Sequence, residues 1–310
     1  MSRAVVFAYH EVGYRCLSVL LAHGVDVLLV LTHEDDAGEN IWFPSVAELA
    51  AENELPCEAP DDVATARMQE RVAALAPDFI FSFYYRRMLP MALLATASRG
   101  AYNMHGSLLP AYRGRVPVNW AVINGERETG ATLHGMVEKP DAGPIVAQQR
   151  VPIFPDDTAG EVFRKVTVAA ELALDAVLPS LLAGSATHVP QDLSLGSYYG
   201  GRKPGDGRID WGESAEQIHN LVRGVAPPYP GAFTTIAGKR LRVLRSKPLP
   251  NEKPRKLRPA LEISDGRIVA RCGDGGSLWL LDLEFDDLKI DAGNFSGIFG
   301  SAVVPLGQGA

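Results

Sequence analysis

At 310 residues the chain is long enough for two domains with substantial cores. Its 46% hydrophobic and 22% charged residues are those of an ordinary globular protein, and a net charge of -7 argues against a large non-specific nucleic-acid surface, although a local basic patch is compatible with it. Cys16, Cys57 and Cys272 are few, odd in number and far apart, with no Cys-x-x-Cys or Cys/His zinc spacing, so they support neither a disulfide framework nor a metal site and point to a reducing cytosol.

Met1-Ser2-Arg3 leads straight into Ala4–Tyr9, an apolar run with the pattern of a buried strand and too short for a signal-peptide core. Neither this run nor Val27–Leu31 approaches the ~20 residues that span a bilayer, so a soluble protein with no membrane partner is expected. Residues 11–23 follow helical spacing, with Val12, Cys16, Val19 and Leu20 on one side, and Val25–Leu31 reads as the second strand. Pro44-Ser45 opens a helix through Glu52, where an early proline costs little. Asp61-Asp62 opens another helix through Leu75, and Pro77–Phe83 returns to strand.

Continuous apolar strands alternating with amphipathic helices predict an α/β, Rossmann-like, mostly parallel sheet covered on both faces. Ligands of such sheets bind beyond the carboxyl ends of the strands, where strand order reverses. That directs attention to Phe83–Leu89 and to Asn103–Arg115. Asp157–Leu182 reads as a long helix with an apolar face, and 183–207, rich in Gly, Ser and Pro, as a connector. Beyond 208, short β-like runs at Arg240–Leu244, Ala260–Ile263, Arg267–Arg271 and Ser277–Leu283 are separated by turn signals such as Gly273-Asp274-Gly275-Gly276. They predict a small β-barrel of OB-like type. The expected organisation is a first domain over 1–188, a linker over 189–207 and the β-barrel over 208–310. Lys239–Arg258 is locally basic, either a solvated strand and loop or a patch facing a phosphate-bearing substrate.

The segment richest in chemistry is Asn103-Met104-His105-Gly106-Ser107-Leu108-Leu109-Pro110-Ala111-Tyr112-Arg113-Gly114-Arg115. Asn and His two apart in an extended chain point to the same side, so one can donate a hydrogen bond to a developing oxyanion while the other exchanges a proton. Gly106 admits a close approach, and Pro110 and Gly114 frame a rigid loop. Asn-x-His alone is as readily a capping Asn and a hydrogen-bonded His. Downstream, Glu138-Lys139-Pro140-Asp141-Ala142-Gly143 places an acid in a loop after a strand over Gly130–Val137. Alone it reads as a turn residue; beside an imidazole it would raise the imidazole pKa.

Asn103-x-His105, the Ser107-Leu-Leu-Pro-x-Tyr-Arg-Gly114 loop and Asp141-Ala-Gly143 together resemble the signature of the folate-dependent formyltransferases. The likeness continues through Gly207-Arg208-Ile209-Asp210-Trp211 and from Val222-Arg223 to Phe233. It implies a 10-formyltetrahydrofolate-binding catalytic domain over 1–188 and transfer of the formyl group to an amine through a tetrahedral intermediate. By the same resemblance Asn103 steadies the oxyanion, His105 shuttles the proton, and Asp141 orients His105 and raises its pKa. The folate is placed at Arg87, Met88, Leu89 and Arg115 and along Val137, Glu138, Lys139, Pro140 and Asp141, and no metal is required.

Within that family, methionyl-tRNA formyltransferases carry a basic insertion where this chain has the acidic stretch His33–Phe43, which would repel a polyanion. Glycinamide ribonucleotide formyltransferases lack a second domain. A nucleotide-linked amino sugar remains as acceptor. Val5–His10, Phe81–Arg86, Asn119–Glu126 and Pro228–Phe233 are most similar to formyltransferases that act on UDP-4-amino-4-deoxy-L-arabinose, a step of lipid A modification. No GxGxxG follows, so only the formylation step is expected. Arg202, Lys203 and Arg223 are candidates for diphosphate contacts, or solvent-facing basic residues. Tyr84 and Tyr85 line the folate or sugar pocket, or pack in the core. His10 could border the pocket; His23, His33, His134, His188 and His219 share no ligand spacing and read as structural or exposed. The same resemblance leaves methionyl-tRNA formyltransferase and 10-formyltetrahydrofolate hydrolase as alternatives.

Overall fold

The computed structural model describes residues 1–36, 38, 40–250 and 258–307. It divides into two compact units, one formed by 1–117, 128–152 and 163–200 and the other by 118–127, 153–162 and the chain from Gly201 onward. The segment expected as a linker is therefore shared out, with 189–200 in the first unit.

Chain order runs β1 (Arg3–Ala8), α1 (His10–Ala22), β2 (Asp26–Leu31), α2 (Val46–Glu52), β3 (Cys57–Glu58), α3 (Ala66–Ala74), β4 (Phe79–Phe83), α4 (Met91–Leu94), β5 (Gly100–His105) and β6 (Arg113–Gly114). It continues with α5 (Pro117–Ile123), β7 (Glu128–Gly135), β8 (Ile145–Pro152), α6 (Ala159–Ala183) and β9 (Tyr198–Tyr199). The first unit is built on a sheet of order β3-β2-β1-β4-β5-β7-β8. Its first five strands run parallel; β7 pairs antiparallel with β5, and β8 antiparallel with β7, so β7 alone runs against the rest. The order reverses between β1 and β4, the position that opens a ligand crevice in a Rossmann-like fold.

β4 is buried along its whole length and β1 everywhere but Arg3, which is why both read as unbroken apolar runs. Val5, Phe7, Leu29, Leu31 and Ile80 share one cluster with Met68 and Val72 of α3 and Leu93 and Leu94 of α4. The helix expected from Asp61 starts later because Asp62 accepts from the Ala64 N–H in a local turn and Thr65 supplies the cap, accepting from Met68 N.

The 25-residue α6 is, among the described residues, the one helix long and apolar enough to cross a membrane by length and composition. Val166, Ala169, Ala170, Ala173, Leu174, Leu178 and Leu181 form a buried stripe at helical spacing, while Arg15 and His23 of α1 reach its Glu171 and Asp175 at 3.0 and 2.8 Å. That packing is the arrangement of a core helix.

The second unit continues with α7 (Ala215–Gly224), β10 (Ala232–Ile236), β11 (Lys239–Pro248), β12 (Ala260–Ser264), β13 (Arg267–Arg271), β14 (Ser277–Phe285), β15 (Leu288–Lys289), α8 (Phe295–Phe299) and β16 (Val303–Pro305). Its antiparallel sheet has the order β10-β11-β14-β13-β12-β16, with β15 beside β14, and forms a half-barrel rather than a closed one. Burial alternates along β14, so one face meets a core containing Ile218 and Val222 of α7, Leu241, Leu280 and Phe295. The expected runs lie within β11, β12, β13 and β14. β10 and α7 went unanticipated; α7 is marked locally by a reciprocal Ser214/Gln217 cap. Part of the basic stretch, 251–257, lies outside the described residues.

At Gly130 of β7 an added Cβ would collide with the Gln149 backbone carbonyl of β8 and with Leu108. Gly130→Ala is expected to cost about 1–3 kcal/mol, because strand backbone rather than a flexible side chain must move. Urea denaturation reads this as a lower midpoint; an unchanged midpoint would show that β7 and β8 do not pack this closely.

Candidate active site

The antiparallel register of β5 and β7 sets Asn103 opposite His134 and His105 opposite Thr132. Asn103 and His105 are two apart on one strand, so these four side chains share one face. Thr132 organises the loop after β5: its hydroxyl donates to the Ser107 carbonyl (2.6 Å) and accepts from Leu109 N (3.2 Å) and Gln148 Nε2 (3.0 Å). Ser107 Oγ donates to the Ala111 carbonyl at 2.6 Å. The loop folds back until the Tyr112 carbonyl lies 2.8 Å from His105 Nε2.

That contact sets the tautomer. A carbonyl only accepts, so Nε2 carries the hydrogen and the lone pair of neutral His105 is on Nδ1. Nδ1 faces Asp141 Oδ1 at 3.5 Å, and the other Asp141 oxygen accepts the Gly114 N–H at 2.9 Å. Asp141 sits in the left-handed region at φ 53°, as do His10, Tyr84, Tyr112 and Val116 around the same strand ends. Such conformations are held only where the surroundings impose them and concentrate at functional sites. Gln191 Nε2 helps impose this one, donating to the Asp141 carbonyl at 3.0 Å and to that of Gly143 at 2.6 Å.

Burial, the largest influence on His105, pushes its pKa below the ordinary value, although the Asp141 charge and the Tyr112 carbonyl both raise it. The expectation that Asp141 raises it thus holds for that interaction while desolvation decides the sum. Burial alone would raise the Asp141 pKa, but the His105 and His134 imidazoles and the Gly114 N–H outweigh it and hold the carboxyl well below the usual carboxylate range. The result is a neutral imidazole facing an ionised carboxylate, able to take a proton on Nδ1.

Of the two readings of His134, structural or exposed, the exposed one fails: the ring is buried within this group. Its Nδ1 donates to the Gly135 carbonyl at 2.9 Å, which leaves Nε2 to accept from Asn103 Nδ2 at 3.1 Å. Asp141 Oδ1 lies 3.5 Å from the same Nε2. The second N–H of the Asn103 amide is thereby aimed by His134. Nothing in local spacing announces this, because the two residues meet only through strand register.

Arg87–Leu89 and the loop after β7 come together where Leu89 and Tyr85 pack in one cluster with Met136. Arg115 follows Gly114, whose N–H is on Asp141. Leu89 is buried, whereas Met88, Val116 and Val137 expose apolar surface beside Arg87, Arg115, Glu138, Lys139 and Pro140. Apolar patches interleaved with peptide groups suit a flat heteroaromatic ligand such as a pterin. Tyr84 abuts Gly106, where a Cβ would overlap its hydroxyl. Among the described residues no group of His, Cys, Asp and Glu could hold a metal ion.

The expected diphosphate ligands lie in the second unit. Arg202 packs over the Trp120 ring at 4.6 Å and donates to the Asp206 carbonyl, and Lys203 is exposed. Arg223 is not a surface cation: it is buried, with Nε on Asn220 Oδ1 (2.8 Å) and Nη1 on the Asp157 carbonyl (3.1 Å). Its guanidinium is engaged in joining α7 to the segment 153–162.

The family model for formyl transferase matches residues 18–178, and that for the formyl transferase C-terminal domain matches 202–295. The chain belongs to the formyl transferase family. Among solved structures, the N-formyltransferase from Helicobacter canadensis in complex with folinic acid and dTDP-3-aminofucose is similar at TM-score 0.72 and 19% identity, covering 94% of this chain and 100% of that one. A sugar N-formyltransferase from Shewanella sp FDAARGOS_354 follows at 0.63 and 17%, covering 78% and 96%. HypX from Aquifex aeolicus in complex with tetrahydrofolic acid stands at 0.61 and 19%, covering 96% of this chain and 47% of that one. At these identities the likeness is one of fold.

If His134 acts by aiming Asn103, His134→Ala should lower kcat by about 10–100-fold, short of the 10²–10³ typical when an oxyanion donor itself is removed. Added to Asn103→Ala it should cost little more, since the two act as a unit. Full additivity of the two losses in steady-state kinetics would contradict the coupling.

Proposed function

We propose that the protein transfers the formyl group of 10-formyltetrahydrofolate to the amine of a nucleotide-linked amino sugar, with UDP-4-amino-4-deoxy-L-arabinose the preferred acceptor. The observation that carries the reading is the neutral, buried His105, set between a peptide carbonyl and an ionised Asp141 beside the aimed Asn103 amide. Formyl transfer to an amine makes two demands: stabilisation of negative charge on the formyl oxygen and relocation of the amine proton. Asn103 Nδ2 supplies the first. His105 Nδ1 supplies the second, holding the proton against Asp141 until the leaving folate nitrogen takes it. Arg87–Leu89, Arg115 and 137–141 hold the folate, which brings the formyl group.

The acceptor class is supported by neighbours described as sugar N-formyltransferases and by the acidic stretch His33–Phe43, whose Ala37 and Glu39 lie outside the described residues. A polyanionic tRNA is disfavoured at such a surface.

The test is formyl transfer from 10-formyltetrahydrofolate to a panel of UDP- and dTDP-linked amino sugars and to charged initiator tRNA. Formylation of one or more sugar nucleotides, one per tetrahydrofolate released, is expected. Transfer to tRNA alone would refute the acceptor class, and acceptor-independent release of formate would reassign the site to hydrolysis.

A further inference from the structure

A cavity of about 370 Å³ opens at the carboxyl ends of β1, β2 and β3, and no step derived above uses it. Tyr9, His10, His33 and Phe43 give it aromatic walls. The walls are fixed: Phe43 lies against His10 with ring centroids 3.8 Å apart, and His33 is stacked on Tyr85 at 4.1 Å. The Arg86 guanidinium covers the Tyr9 ring at 4.6 Å, and the Tyr9 hydroxyl donates to Asp35 at 2.7 Å. The cavity adjoins the reacting groups, since His10 lies 6.4 Å from the Tyr84 ring, whose hydroxyl abuts Gly106, next to His105.

The polar groups around it are mostly acceptors. Glu34, Asp35 and Glu58 bring three carboxylates, two of them exposed. Asp35 keeps one oxygen beyond its bond to Tyr9, and Glu58 one beyond its pairing with Arg71. Burial, with Arg87 and Arg86 close by, lowers the His33 pKa to about 4, so the ring is neutral near pH 7. Its Nε2 accepts from Arg86 N at 3.0 Å, which leaves the hydrogen on Nδ1. Arg86 over the Tyr9 ring and Arg87 near His33 bring positive charge close by, but the carboxylates of Glu34, Asp35 and Glu58 line the cavity itself, so a diphosphate seated inside would meet like charge. The cavity suits a ring that presents several O–H or N–H donors and a flat apolar face.

We propose that this cavity seats a hydroxyl-rich sugar ring of the acceptor, with its hydroxyls donating to Glu34, Asp35 and Glu58 and its C–H face against the aromatic walls. The inference rests on the acceptor being a sugar nucleotide. Two rings of such a molecule share this chemistry, the amino sugar and the ribose, and the test separates them.

Cys57 lines the cavity and is half-buried, whereas Cys16 and Cys272 are buried. Its alkylation by N-ethylmaleimide, followed by peptide mass spectrometry on the full chain, reports occupancy without relying on turnover. A formyl-accepting sugar nucleotide at ten times its Kd should slow Cys57 labelling about tenfold, as fractional occupancy requires, and folinic acid should not. Equal protection by the nucleoside diphosphate alone assigns the ribose; protection only by the complete sugar nucleotide assigns the amino sugar. In parallel, Phe43→Ala should raise the acceptor KM about tenfold or more, equivalent to about 1.4 kcal/mol, with the folate KM unchanged. Formyl transfer without Cys57 protection, or an unchanged acceptor KM in Phe43→Ala, would overturn the subsite and leave the proposed reaction standing. No transfer to any sugar nucleotide would overturn both.

Discussion

The antiparallel pairing of β5 with β7 is the constraint on which the site depends. Every other pairing among the first five strands is parallel, and a parallel strand continuing from β5 would need a crossover before it could return. Instead β7 runs back beside β5, puts His134 across from Asn103, and releases its loop where Asp141 reaches His105. A slip of one residue would turn His134 and Thr132 to the opposite face and dismantle both the Asn103 contact and the Ser107–Leu109 loop. The register is thus a requirement of the chemistry as much as of the sheet.

From that frame the electrostatics follow. His105 is buried deeply enough to stay neutral, and Asp141 stays ionised because the Gly114 N–H and, in the acid range where it would titrate, the protonated imidazoles outweigh its burial. A proton arriving at Nδ1 meets a carboxylate already in place, so little reorganisation accompanies its arrival. The same crevice carries apolar loop surface on one side and, toward β1, β2 and β3, an aromatic cavity ringed by acceptors.

Much of this was legible in the sequence because it is local. Unbroken apolar strands, the Asn103/His105 alternation and the thirteen-residue run Asn103–Arg115 each reveal themselves within a short window. What the sequence hid is long-range. His134 looked ordinary because its partner Asn103 is brought to it by register, and Gln191 looked like connector because its hold on the Asp141 loop joins residues some fifty positions apart. Arg223 looked like a free cation because carbonyls from 153–162, which pack with the second unit, cannot be paired with α7 by pattern. The antiparallel strands β11–β14 of the second unit were legible, whereas β16, three residues long, carries too few residues for periodicity to mark it.

The central claim is that His105 is a neutral imidazole with hydrogen on Nε2 that gains a proton at Nδ1 under the influence of Asp141. Nitrogen-15 NMR of the imidazole across a pH titration reads both tautomer and protonation. The account predicts the Nε2–H tautomer at pH 7, protonation only below the ordinary histidine value of about 6.5, and a midpoint lower still in Asp141→Asn, because that variant removes the charge that raises it. An imidazolium at pH 7, a hydrogen on Nδ1 in the neutral form, or a midpoint that rises in Asp141→Asn would contradict it.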